Sequence, residues 1–115
     1  MRTAWDIKLL KEYVGEDNAT LRSLLADYLV ATDQARTSLE AAINADNTGA
    51  VAELAHKLKS SSRWVGALAL GEICETLEIR GTRGDLAGIR ALQGAFEMEV
   101  EALRAEITAA INELI

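Results

Sequence analysis

An all-α fold is predicted by three features of the sequence. The 115 residues include no proline, the residue that most readily breaks a helix interior. Apolar side chains recur at spacings of three and four over long windows, the period of one helix face. Between those windows lie short clusters of Gly, Asp and Asn, which start and stop helices. Half of the residues are hydrophobic and only Trp5, Tyr13, Tyr28, Trp64 and Phe96 are aromatic, so aliphatic side chains must build most of the core.

The first helix is expected over Ala4–Val14, with Trp5, Leu9 and Tyr13 on one stripe at spacing four. It is too short to be a full bundle member and is placed across one end. Gly15-Glu16-Asp17 then breaks the chain, and Asp17 or Asn18 caps the second helix. That helix carries Leu21, Leu24, Leu25, Tyr28, Ala35, Leu39 and Ile43 on one side and runs to about Ala45. Asp46-Asn47-Thr48-Gly49 is the next turn, with Asp46 or Asn47 as cap, and the third helix ends near Gly66. A fourth covers about Ala67–Arg80, with Leu70, Ile73, Cys74 and Leu77 inward. Gly81-Thr82-Arg83-Gly84 reads as a flexible turn, and Asp85 caps the last helix. Its stripe is Leu86, Ile89, Leu92, Phe96, Val100, Leu103, Ile107, Ile111 and Leu114. Short loops between long amphipathic helices make neighbours antiparallel. The prediction is an up-down antiparallel four-helix bundle with a short additional N-terminal helix, a single domain over residues 1–115 without repeats or a long linker.

Composition excludes several classes of function. A net charge of −6 argues against a broad phosphate-binding face, so no nucleic acid is expected as partner. Cys74 is the lone cysteine and cannot form an internal disulfide; in its apolar setting it reads as a small core residue. Charges at Asp6, Lys8, Lys11 and Glu12 interrupt any signal-peptide apolar region, and no apolar run is long enough to span a bilayer. A cytoplasmic, membrane-free monomer is the expectation. One histidine and one cysteine do not make a metal-ligand set. The chain has no Gly-rich nucleotide loop and no paired acids to hold Mg²⁺, so neither cofactor nor autonomous kinase activity is expected.

The single histidine lies in the stretch AHKLKSSSRWVGALAL, Ala55 to Leu70. At about 100° per residue, Val51, Leu54, Leu58 and Val65 fall opposite His56, flanked by Ala55 and Ser62. Gly49, Ala52, Glu53, Lys59, Ser60 and Arg63 share its side, with Lys57 on the flank. The imidazole is therefore mid-helix and faces water. Lys57, Lys59 and Arg63 lie within seven positions of it in an otherwise acidic chain, where they would attract a phosphoryl group and balance its charge. The small residues Gly49, Ala52, Ser60, Gly66 and Ala67 would let another protein approach closely. Taken singly, these features also fit a solvated helix face, with Gly66 as a C-cap.

Together with the CETLE stretch that follows, the motif resembles the signature of histidine-containing phosphotransfer (HPt) domains of bacterial phosphorelays. The matching positions are His56, Leu58-Lys59, Ser60-Ser61-Ser62, Gly66-Ala67 and Leu77-Glu78. The resemblance implies a four-helix bundle whose exposed histidine relays a phosphoryl group between aspartates of receiver domains. One receiver would belong to a hybrid histidine kinase and the other to a response regulator, with Mg²⁺ held by the receiver. It implies that His56 is the phosphoacceptor, attacking through Nε2, that Lys59 stabilises the phosphoryl group, and that Glu78 accepts a hydrogen bond from Nδ1. Lys57, Ser60, Arg63, Gly66 and Ala67 complete the expected binding surface. Ser60 departs from the family's frequent glycine; its hydroxyl could meet the phosphoryl group or bond back to the His56 carbonyl. Trp64 could cover the bundle's edge or contact a partner. Two alternatives accompany the relay: a docking module that sequesters a response regulator without transfer, and a domain phosphorylated directly by an ATP-dependent kinase domain.

Overall fold

The computed structural model describes residues 5–114. They form five α-helices, α1 (Ile7–Val14), α2 (Asn18–Asn44), α3 (Thr48–Val65), α4 (Leu68–Thr82) and α5 (Leu86–Glu113), with no strand among the described residues. The boundaries follow the capping chemistry. Carboxylates of Asp6, Asp17 and Asp85 and the amide oxygen of Asn47 each accept a backbone N–H in the first turn of the helix they precede, satisfying donors that have no partner inside the helix. At the α3 C-terminus, Gly66 takes the left-handed conformation, φ 94°, and its N–H and that of Ala67 close on carbonyls of the last turn.

Helices α2 to α5 form the up-down bundle that the sequence predicts, each long helix packing against two neighbours in a ring. Cross-helix pairs fix the antiparallel sense of α3 and α4, where Arg63 meets Glu75 and Lys59 meets Glu78, while Tyr28 and Ser62 join α2 to α3. Between α2 and α5, Arg36 meets Glu101 while Asp33 meets Arg104. The core is a single cluster of Leu, Ile and Val side chains with Tyr28, Phe96 and Trp5 among them. The inward stripe of α5 is buried at Ile89, Phe96, Val100, Leu103 and Ile107 and half-buried at Leu86, Leu92, Ile111 and Leu114.

Two expectations are corrected. The first helix starts at Ile7, after the Asp6 cap; the expected start at Ala4 lies outside the described residues. Trp5 is thus not on a helical stripe. It is buried ahead of the helix, and its indole N–H donates to the Val65 carbonyl at 2.8 Å, which seats α1 against the end of α3. Gly81 is not in a flexible turn either. It is a buried residue inside α4, where an added Cβ would lie 2.8 Å from both the Ala52 amide nitrogen and the Thr48 carbonyl oxygen. The chain reverses at Arg83–Asp85, with Gly84 at φ 69°.

Candidate functional site

Helix α3 carries His56 in its middle, and the burial pattern orients the ring as the angular calculation requires. Val51, Ala55, Leu58, Ser62 and Val65 are buried, while Leu54 is half-buried. Ser62 is a polar residue on that inner face, and its hydroxyl pairs with the buried Tyr28 hydroxyl at 2.7 Å, so neither group is left unsatisfied. Burial pushes the Tyr28 hydroxyl up to about 12. The opposite face puts His56 in solvent, with its side chain 59% exposed.

The second half of the site comes from α4. Because Gly81 lacks a Cβ, the backbones of α3 and α4 close together at Ala52. One helical turn before Gly81, Glu78 then meets one turn past Ala52, at His56. Its Oε2 lies 2.9 Å from His56 Nδ1, and its Oε1 lies 2.6 Å from Lys59 Nζ. One carboxylate therefore bridges the imidazole and the ammonium. The Lys59 hydrogen bond is the main influence holding the Glu78 carboxyl below its ordinary value, opposed by partial desolvation and reinforced by His56. A carboxylate accepting at Nδ1 keeps the proton on that nitrogen and the lone pair on Nε2. Among the described residues, Nε2 has no hydrogen-bond partner.

The expected site residues separate into groups. His56, Lys59 and Glu78 converge. Lys57 is exposed, forms no ion pair among the described residues, and lines a shallow depression with Ala52, Glu53, His56, Glu78 and Thr82. Ser60 is exposed one turn from His56, and its hydroxyl donates to the His56 carbonyl at 3.2 Å. Arg63 leans across α4 over Gly71 and pairs with Glu75 at 3.3 Å, so its charge is partly committed. Gly66 and Ala67 are buried and do not belong to an accessible docking face. A Cβ at Gly66 would collide with the Asp6 carbonyl oxygen, so the pair shapes the α3–α4 corner against the N-terminal segment instead. Trp64 is 41% exposed and stacks on Tyr13 of α1, ring centroids 6.2 Å apart.

Sequence reasoning missed Gly81 and the Tyr13 partner of Trp64. The signal for Gly81 was present: a glycine one turn beyond Glu78 that sits inside a helix, where it costs about 1 kcal/mol relative to Ala, needs a compensating close approach. Cys74 is fully buried, and desolvation pushes its thiol up to about 12, which makes it a packing residue. No group of three or more His, Cys, Asp or Glu able to hold a metal ion occurs among the described residues, and no helix among them is long and apolar enough to cross a membrane.

Comparison with known proteins places this arrangement. The Hpt domain family model matches residues 23–111, and the chain belongs to that family. Among solved structures, the fold is similar to histidine-containing phosphotransfer protein B (HptB) from Pseudomonas aeruginosa PAO1. The TM-score is 0.90 at 25% identity, covering 98% of each chain. No curated protein sequence matches significantly.

Proposed function

We propose that this chain is a phosphocarrier of a two-component phosphorelay, taking a phosphoryl group from the aspartyl phosphate of one receiver domain and passing it to the aspartate of another. In this reading the donor is the receiver of a hybrid histidine kinase and the acceptor belongs to a response regulator. The observation that carries the proposal is the Glu78–His56 pair, which occupies Nδ1 at 2.9 Å on an exposed ring and leaves Nε2 open.

The Nε2 lone pair attacks phosphorus, a P–N bond forms, and the bond from phosphorus to the acyl oxygen breaks. The leaving carboxylate keeps the electron pair. The phosphorylated ring retains its Nδ1 proton and becomes an imidazolium, whose charge lies against the Glu78 carboxylate. Lys59 holds that carboxylate in place and sets its own positive charge beside the ring, while Lys57, exposed and without an ion pair among the described residues, can reach toward the phosphoryl oxygens. Such transfer is mainly positioning and charge stabilisation, and the reverse reaction uses the same groups. The Mg²⁺ and the acidic pocket belong to the receiver, and the chain needs no nucleotide of its own.

The test is transfer from radiolabelled, aspartyl-phosphorylated receiver domains to the parent chain and to His56→Gln. Acid-labile, base-stable label on the parent and none on the variant is the expected result. Receivers that bind without ever passing label would instead establish a docking module, and labelling by a receiver-free kinase domain with ATP would establish direct phosphorylation.

A further inference from the structure

The seam between α2 and α5 lies across the bundle from the α3–α4 seam that holds His56. Side-chain pairs pin it at two levels. Arg36 meets Glu101 at 2.6 Å and Glu97 at 3.5 Å at one, and Arg90 meets Asp46 at 2.8 Å at the other. Between these levels no ion pair crosses the seam among the described residues, and a cavity of about 450 Å³ opens to solvent. Its floor is apolar: Leu39 and Ile43 of α2, Phe96 of α5, and Leu77 of α4 behind them. All four are buried core residues, so each turns only an edge toward the cavity. The volume lies within the range of about 300–1,000 Å³ that small-molecule sites occupy.

The rim decides the charge of the occupant. Glu40 and Glu97 place two carboxylates on it, against the single guanidinium of Arg36. That guanidinium is already answered by Glu101, whereas Glu40 is exposed and has no ion pair among the described residues. A cation therefore finds an open carboxylate here, and an anion meets two of its own sign. The two pins decide the size. A peptide or helix laid along the seam would run into the side chains that cross it at either level, while a compact molecule fits between them. We propose that the α2–α5 cavity is a binding site for a small amphipathic amine. Its flat aromatic body lies over the Leu39, Ile43, Leu77 and Phe96 edges, and its ammonium group meets Glu40. Gln93, half-buried at the lip, offers an amide oxygen to the same ammonium. The site is separate from His56 and does not depend on the phosphorelay reading.

The experiment titrates the isotope-labelled full chain at neutral pH with three indole probes of similar size: tryptamine, a cation; tryptophol, neutral; and indole-3-propionate, an anion. Chemical shifts in NMR spectra report where each one binds and how tightly. Tryptamine is expected to saturate in the millimolar range, with the largest shifts at Leu39, Ile43, Leu77 and Phe96. Tryptophol should bind about threefold more weakly and indole-3-propionate about tenfold more weakly. Glu40→Gln should bring tryptamine down to the affinity of tryptophol and leave tryptophol unchanged. Gln93→Trp should fill the opening and remove the binding of both. Gln93→Trp risks disturbing the seam; Glu40→Gln, at an exposed position, carries the test without that risk. No saturation by tryptamine below about 20 mM overturns the site, as do shifts centred on another part of the bundle. Equal affinity for the three probes, or an unchanged tryptamine affinity in Glu40→Gln, overturns the assignment to an amine. Shifts at the same four residues on concentrating the chain without any probe would give the cavity to a second copy of the chain, and the proposal falls in that case too.

Discussion

The bundle contains two ion-pair networks that link neighbouring helices, one between α2 and α5 and one between α3 and α4. In the first, Arg36 reaches Glu101 at 2.6 Å, Glu97 at 3.5 Å and Asp33 at 3.6 Å, and Arg104 also pairs with Asp33. The Arg104 hydrogen bond holds the Asp33 carboxyl down, and the Glu101 hydrogen bond raises the Arg36 guanidinium. Fixed charges answer fixed charges, and no lone pair on a nucleophile is left over. In the second network Glu78 is shared between Lys59 and His56. It holds only one nitrogen of a two-nitrogen ring and leaves the other on the solvent side. The difference between a cross-link and a reactive site is thus one unanswered atom, Nε2, and the bundle uses similar chemistry for both.

The largest effect that separates the networks is expected from His56→Gln. Transfer is abolished, whereas stability changes by no more than about 0.5 kcal/mol, as at other exposed positions without structural demands; chemical denaturation alongside the transfer assay checks both. Glu78→Ala should come next, slowing transfer by about ten- to a hundredfold, the loss expected when a charge-assisted hydrogen bond that orients a catalytic group is removed. Its companion Glu78→Gln probes pH. Because the folded carboxyl titrates below its ordinary value of 4.5, its contribution to stability is fully present above that value and is lost as pH falls through the lowered one. Acid unfolding followed by circular dichroism should therefore be less steep in the glutamine variant.

Gly81→Ala tests the geometry beneath the second network. The added methyl meets α3 backbone atoms at 2.8 Å, so a cost of about 1–3 kcal/mol from overpacking is expected, together with slower transfer as Glu78 is carried away from His56. A variant as stable and as fast as the parent would show that the helices do not need this approach. The smallest effect is assigned to Arg36→Ala. An exposed pair of this kind contributes about 0–1 kcal/mol, so stability should fall only slightly, less at high salt, with transfer kept at the parent rate.

The fold was readable in the sequence because its signals are local. Helix faces repeat at a helical period, and the Asp17, Asn47 and Asp85 caps are decided within one turn of the chain. The orientation of His56 was readable for the same reason. Its partner was not derivable from spacing, since His56 and Glu78 stand 22 residues apart; only the resemblance to HPt domains pointed to that pair. The errors arose where tertiary contacts override local preference. Gly81 and Gly66-Ala67 were read as flexible or accessible, yet α3 and the N-terminal segment press against the glycines so closely that no Cβ fits. Likewise Arg63 looked like a free cation on the histidine's strip until Glu75 of the next helix met it.

The Trp5 anchor has a practical consequence for handling the protein. Its indole closes on the Val65 carbonyl across 60 residues of sequence, in a buried setting at the very end of the helix that carries His56. Shortening the chain past Trp5 would strip that carbonyl of its donor, a loss of about 1–3 kcal/mol for a buried acceptor, and would open the space against which Gly66 packs. Affinity tags, fluorescent labels and fusion partners should accordingly be joined at the other end, after α5. A trimmed N-terminus could make a sound phosphocarrier look inactive.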